Sequence, residues 1–397
     1  MNDGSGYKLN RDQLLLDLYV AFYDARQHKA KMSYVRKFEA HLKKNMDELC
    51  DDLLTRRYTA RPSKCFVIEY PKKREVFAAM FRDRVVHHLY FNYCHELFER
   101  TFIQDSYSCI VGRGTHYGID RLGMHIRQES QNWTQPCYAM NLDIRGYFMH
   151  IRRKRLLEIA TGTVLKMADH RIHHDSPERW RDRIDIDFVC WLTEQIILLD
   201  PKTNCEIVGS LDDWNGLDRN KSLFWTPEGC GLPIGNLTSQ LFSNVYLNEF
   251  DQFMKRTLGV KHYGRYVDDS YVVSADREWL LSIVPQIRRF LEDNLGLELH
   301  MGKLHVRDIC QGVEFLGAFV KPYRDYVSNK TLSRMKQNMS SLDLRNPENV
   351  SFSVNSYLGV LSHTASYNLR RELFAESRFA DVLEFDGDIL KSKPIAK

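Results

Sequence analysis

No Cys-x-x-Cys pair occurs in the chain, and its nine cysteines, an odd number, are scattered. That pattern argues against a zinc site or a disulfide framework and for reduced thiols in a cytosolic protein. Long apolar runs are missing too. "MNDGSGYKLN" lacks the apolar core of a signal peptide, and no run approaches transmembrane length. The expectation is a soluble cytoplasmic protein with no membrane partner. Excess charge is small, +4 overall, so any basic surface must be local. Internal repeats and low-complexity tracts are absent. What is there, 43% hydrophobic and 12% aromatic residues in 397, suits a folded chain of two or three domains.

Along the chain, Val35, Phe38, Leu42, Met46, Leu49 and Leu53 recur at helical spacing. "SKCFVIEY" reads as a strand and "PKKREVF" as a turn into another. "FRDRVVHHLYFNYCHELFERTF" is helical, "DSYSCIVGRGTHYG" loop-like, and "YAMNLDIRGYFMHI" a strand ending in a turn, with a helix from Arg152. Residues 168–227 are the hardest to place, apart from an apolar helix at "FVCWLTEQIILL". "NLTSQLFSNVYLNEFDQFMKRTL" is a helix. Leu280, Val284, Ile287, Leu291 and Leu295 mark another, closed by Gly296. "GVEFLGAFV" reads as a strand, and from Asn329 the chain is mostly helical and basic, ending in a loose tail, "KSKPIAK". The order suggests an α+β core followed by a helical module.

Acids stand where apolar residues belong. "GRYVDDSYVV" sets Asp268 and Asp269 side by side in a β-prone run, and Asp143 ends the apolar strand "MNLD". Like charges repel and desolvated carboxylates are costly. Either Asp143 caps a helix and the doublet is a hairpin turn, or the strands deliver these acids to one point around a divalent cation. "DHRIHHD", residues 169–175, puts His170 and His174 one helical turn apart, but with no third ligand or glutamate base it reads as structural or exposed.

Tyr266-Val267-Asp268-Asp269 resembles the YxDD signature of reverse transcriptases, and Asp143 followed by Phe148 resembles that family's first palm motif. "GLPIGNLTSQLFSNVYL", "LGLELHMGKLHV" and "GVEFLGAFV" resemble its other palm motifs in order. "KKREVFAAMFRDRVVHHL" and "DSYSCIVGRGTH" resemble fingers segments of the bacterial enzymes. The resemblance spans roughly Arg56 to Val320. It implies a right-hand polymerase fold: an N-terminal helical region (1–55), fingers (56–140), a palm (141–325) with an insertion at about 168–227, and a helical thumb and tail (326–397).

The resemblance also implies roles. Asp143, Asp268, Asp269 and the carbonyl of Ile144 would hold two Mg²⁺ ions, with Mn²⁺ as an alternative, for two-metal nucleotidyl transfer. Lys72 and Arg74 would hold the incoming dNTP, a guanidinium suiting phosphate oxygens. Phe148 would exclude a ribose 2′-hydroxyl, Lys303 would protonate pyrophosphate, and Tyr266 and Gly317 would contact primer. Ile234, Gly235 and Gln240 would lie at the templating base and nucleotide. Arg56, Arg57, Arg61 and Lys64 head a basic cluster with Lys72, Lys73, Arg74, Arg82 and Arg84, opposed by Glu69, Glu75 and Asp83 only, for template. Arg334, Lys336, Arg370 and Arg371 would grip the duplex. The partners implied are an RNA template and a DNA or RNA primer.

Ile234 and Gln240 stand where many family members have glutamine and proline. "IGNLTSQ" in that form resembles the enzymes of diversity-generating retroelements, bacterial or phage-encoded, which copy a template RNA with errors and imply a small basic accessory protein. The long 152–228 stretch departs from that group. The alternative is a defence-associated reverse transcriptase working with a structured non-coding RNA. Retron signatures "VTG" and "NAxxH" are absent, and neither a maturase-type nuclease nor an RNase H domain is expected.

Overall fold

Asn10 accepts a hydrogen bond from the Gln13 N–H and starts the helix Arg11–Arg26, whose Leu14, Leu18, Ala21, Phe22 and Ala25 form one buried face. The helical spacing from Val35 to Leu53 resolves into two helices, Ser33–Glu39 and Leu42–Leu54, broken at Ala40-His41. The computed structural model describes residues 6–69 and 72–395, and these fall into two compact units. One comprises residues within 1–109, 144–259 and 285–300; the other, within 110–143, 260–284 and 301–397.

The first unit holds a three-stranded sheet in the order Arg74–Ala78, Ser63–Ile68, Cys205–Ile207. The first pair is antiparallel, with Cys65 opposite Phe77; the second is parallel, with Ser63 opposite Cys205. Tyr70 and Pro71, read as part of the strand–turn here, lie outside the described residues. Segment 168–227, unplaced by its pattern, thus donates an edge strand to this sheet. It also carries the expected apolar helix, Ile186–Leu198, capped by Asp185. His170 and His174 do not share a helix; they lie in the bends before Trp180–Arg183. Helix Leu237–Gln252 is buried along Leu241, Phe242, Val245 and Tyr246. Gly296 takes φ 63° just after Leu295, the left-handed geometry that favours glycine at a helix end.

The second unit is built on a four-stranded antiparallel sheet: His262–Tyr266, Asp269–Ser274, Tyr138–Asp143, His305–Asp308. Helix Thr115–Glu129 packs against it, burying Ile119, Leu122, His125 and Ile126. "GVEFLGAFV" is not one strand but a hairpin, Val313–Phe315 and Ala318–Lys321, extended by Arg324–Val327. Its two-residue turn has Leu316 and Gly317 both at positive φ, 51° and 84°, as a type I′ turn requires. Ser328 caps helix Asn329–Ser340, and Asn346 with Pro347 at the first helical position opens Pro347–Leu361. These helices close a separate core with Met335, Val354, Leu358, Phe374 and Phe379. The C-terminal segment is not wholly loose: Ser392–Pro394 pairs with Leu383–Phe385, while Ala396 and Lys397 lie outside the described residues.

Candidate active site

In the second unit, strand register decides the first question. Asp143 ends one strand directly opposite Asp269, which begins its neighbour. Directly opposed residues share a sheet face with Cβ atoms about 5 Å apart, where two like charges destabilise the pair. Asp269 also pairs with Tyr266 on its other side, so Val267 and Asp268 form a two-residue hairpin turn. The doublet is therefore both a turn and a point of convergence.

That turn is strained. Val267 has φ 55°, a region that a β-branched residue rarely adopts. Arg265, only 1% exposed, donates from Nη1 to the Val267 carbonyl at 2.9 Å. Its charge lies beneath the acidic turn and was not singled out by the sequence pattern, in which it is one arginine in a strand. Lys303 donates from Nζ to Asp143 Oδ2 at 2.8 Å across an exposed ion pair. The Asp269 carboxyl is pushed up to about 7, first by loss of water around it, then by Asp268 and Asp143, against the opposing pull of Lys303.

Among the described residues, no group of three or more His, Cys, Asp or Glu side chains is arranged so that it could hold a metal ion. Two carboxylates opposed at one sheet end, with a third in the adjoining turn, are nevertheless the kind of oxygen donors that a hard divalent ion takes. Such ions are commonly held by one or two carboxylates plus substrate phosphates.

In the first unit, Ile144 follows the strand and bridges to Leu299. Gly146, φ 54°, opens the short helix Tyr147–His150, which carries Phe148. The Phe148 carbonyl accepts from the Leu232 N–H at 2.9 Å, and the Ile234 carbonyl from the Phe77 N–H at 2.8 Å. Phe148 and Ile234 both pack on the cluster of Cys65, Phe77, Met149 and Leu223. Gly235, φ 121°, leaves no room for a side chain, since a Cβ there would lie 2.8 Å from Val76 Cγ1. Gln240 is exposed and accepts from the Cys109 thiol at 3.5 Å. Lys72 and Arg74 are exposed at the start of the strand Arg74–Ala78.

The basic cluster is thinner than the residue tally suggests. Arg82 is buried between Asp52 and Asp83, and Arg84 donates to the Ala79 carbonyl and to Tyr34. Glu75 faces inward, so it does not oppose this surface. Arg56 stacks over Phe188 and Trp191 at 4.9 and 4.5 Å. Arg57 donates to Thr55; Arg61 and Lys64 are exposed. In the second unit Arg334 and Lys336 lie on helix Asn329–Ser340, and Arg371 pairs with Glu376. Arg370 departs from its expected role: it is 7% exposed and donates to the Ile389 carbonyl, so its charge is spent inside the C-terminal core. In "DHRIHHD", Asp169 is held by Arg181 and the exposed His174 lies against Asp175.

A family profile described as "Reverse transcriptase (RNA-dependent DNA polymerase)" matches residues 69–320. Protein YkfC of Escherichia coli (strain K12) is 24% identical over 313 residues, 70% of this chain and 72% of that protein. Among solved structures, telomerase from Candida albicans with a fragment of telomeric RNA has 12% identity and a TM-score of 0.45, over 76% of this chain and 53% of that one. Apo telomerase from Candida Tropicalis has 10% identity and a TM-score of 0.46, over 84% and 65%. The chain thus spans between about half and two thirds of the telomerase chains it matches. No helix among the described residues is long and apolar enough to cross a membrane. With the profile covering well over half of its residues, the aspartate hairpin included, this chain belongs to the reverse transcriptase family, the RNA-directed DNA polymerases of right-hand α+β fold.

Proposed function

We propose that the chain copies an RNA template into DNA at a site whose metal-binding oxygens come from Asp143, Asp268, Asp269 and the Ile144 carbonyl. The observation that carries this is the register setting Asp143 against Asp269 with Asp268 in the adjoining turn. Divalent ions held there, Mg²⁺ or Mn²⁺, would neutralise the triphosphate and ease ionisation of the primer hydroxyl. Arg74 and Lys72 bind the triphosphate, Phe148 excludes the ribose 2′-hydroxyl, and Lys303, oriented by Asp143, gives a proton to departing pyrophosphate. Gly317 and Tyr266 contact primer; Arg56, Arg57, Arg61, Lys64, Arg334 and Arg371 contact nucleic-acid backbone. In this reading residues 56–140 act as fingers, 141–325 as palm and 326–397 as thumb.

The biological role we favour is error-prone copying in a diversity-generating retroelement, supported by Ile234, which packs on the same cluster as Phe148, and by Gln240, the two standing where many family members have glutamine and proline. A second reading, antiviral defence with a dedicated non-coding RNA, is favoured by the segment 168–227, which is folded into the structure. Primer extension on RNA with dNTPs or NTPs supplied separately tests the activity. Efficient ribonucleotide use would remove Phe148 as the sugar gate. Accurate copying opposite template adenines would remove the diversifying role, and sequencing RNA that co-purifies separates the two.

A further inference from the structure

The insertion does something the motifs do not assign. Burial along Arg74–Ala78 alternates, so Arg74 is exposed while Glu75 and Phe77 point inward. Glu75 is 1% exposed, yet three donors from the insertion reach it. Trp214 Nε1 and Ser222 Oγ donate to Oε2, and the Leu223 N–H donates to Oε1, each at 2.6 Å. A carboxylate this buried holds its place only when so satisfied.

Two of these three residues, Leu223 and Trp214, also reach the cluster that carries Phe148. Leu223 is in the cluster on which Phe148 and Ile234 pack, and Trp214 packs there beside them. Trp214 and Phe77 both lie against Phe224, with ring centroids 6.3 and 5.7 Å apart. Two glycines record how closely the insertion approaches. A Cβ on Gly146 would meet the Asn220 carbonyl at 3.1 Å, and one on Gly231 would meet Leu223 Cδ2 at 2.4 Å.

We propose that Glu75 is a positioning residue that latches the 205–226 segment behind Phe148, so that this insertion sets discrimination between deoxy- and ribonucleotides. An aromatic ring excludes a hydroxyl only if it cannot retreat, and Leu223 and Trp214 block that retreat. The inference rests on the reading of Phe148 as the sugar gate.

The test compares kcat/KM for a dNTP and its rNTP on an RNA template, using the full chain and Phe148→Ala, Glu75→Gln, Trp214→Phe and Ser222→Ala. Trp214→Phe keeps the ring and removes one donor, so it serves if Glu75→Gln does not fold. The latch predicts that Glu75→Gln and Trp214→Phe each lose about tenfold in discrimination, through KM, with kcat for the dNTP within about twofold of wild type. Lowered thermal stability with unchanged discrimination in those variants, while Phe148→Ala discriminates poorly, overturns the latch alone. Unchanged discrimination in Phe148→Ala overturns the gate reading and this inference with it.

Discussion

Asp269 and Glu75 are both acids placed on strands where water is scarce, and their surroundings differ in kind. Glu75 is the more deeply buried, and three donors from one segment engage both of its oxygens. Asp269 is half-buried, faces Asp143 and Asp268, and is driven up to about 7. Glu75 is surrounded by hydrogen-bond donors, whereas Asp269 sits in a field of like charge that Lys303 only partly offsets. Burial alone does not tell them apart. The sign of the neighbours does.

The largest effect should come from the acidic end. Replacing Asp268 and Asp269 together by Ala is expected to cut primer extension by about 10³-fold or more, as loss of metal ligands does. RNA binding should stay within about twofold, and thermal stability should not fall, because like charges have been removed. Wild type, but not this variant, should gain melting temperature on adding Mg²⁺, since a ligand bound only to the native state stabilises it. Parallel behaviour of the two would break the contrast with Glu75.

Glu75→Ala should behave oppositely. It strands three donors, two of them buried, and a loss of about 3 kcal/mol, read as a drop in melting temperature, is expected from breaking such a network. Arg265→Met probes the brace under the turn. With the Val267 carbonyl released, kcat should fall about tenfold with little change in dNTP KM, since the aspartates lose their set geometry. Gly317→Ala, at φ 84° and with a Cβ that would sit 3.0 Å from Thr331 Oγ1, should cost about 1 kcal/mol in thermal unfolding.

At neutral pH the smallest effect is that of His87, which shows only as a slope on the acid side. His87, hydrogen-bonded to Thr238 Oγ1 at 2.6 Å, is pulled down to about 4 mainly by burial. The native state therefore takes up its proton less readily than the unfolded chain, whose histidine titrates near 6.5. Its contribution is intact above pH 6.5 and is lost as pH falls from there towards 4. His87→Gln should flatten that limb of a melting-temperature profile; an unchanged slope would show that the acid loss arises elsewhere.

Much of the site was legible because its residues break local rules. Asp143, Asp268 and Asp269 interrupt β-prone apolar runs of sequence, and Gly296 and Gly317 stand where φ is positive. The segment 168–227 was illegible for the opposite reason. Cys205–Ile207 is too short to show a period, and it becomes a strand only by pairing with Ser63–Cys65. Arg370 and Arg82 look like any surface arginine in sequence, but each lies within a packed core or between acids. Trp214 and Ser222, in a turn-rich run, carry no pattern at all.

By itself the sequence determined the family, most of the helices and strands, and that three acids interrupt β-prone apolar runs, because periodicity and local charge are properties of neighbours along the chain. Tertiary structure alone decided that Asp143 stands opposite Asp269, that Arg265 lies under the turn, and that Trp214, Ser222 and Leu223 hydrogen-bond Glu75. The first and last of these join residues well over a hundred positions apart, and the second depends on how the hairpin turn folds back on its own strand. Register and burial, which no local pattern encodes, set which charges meet and which are satisfied.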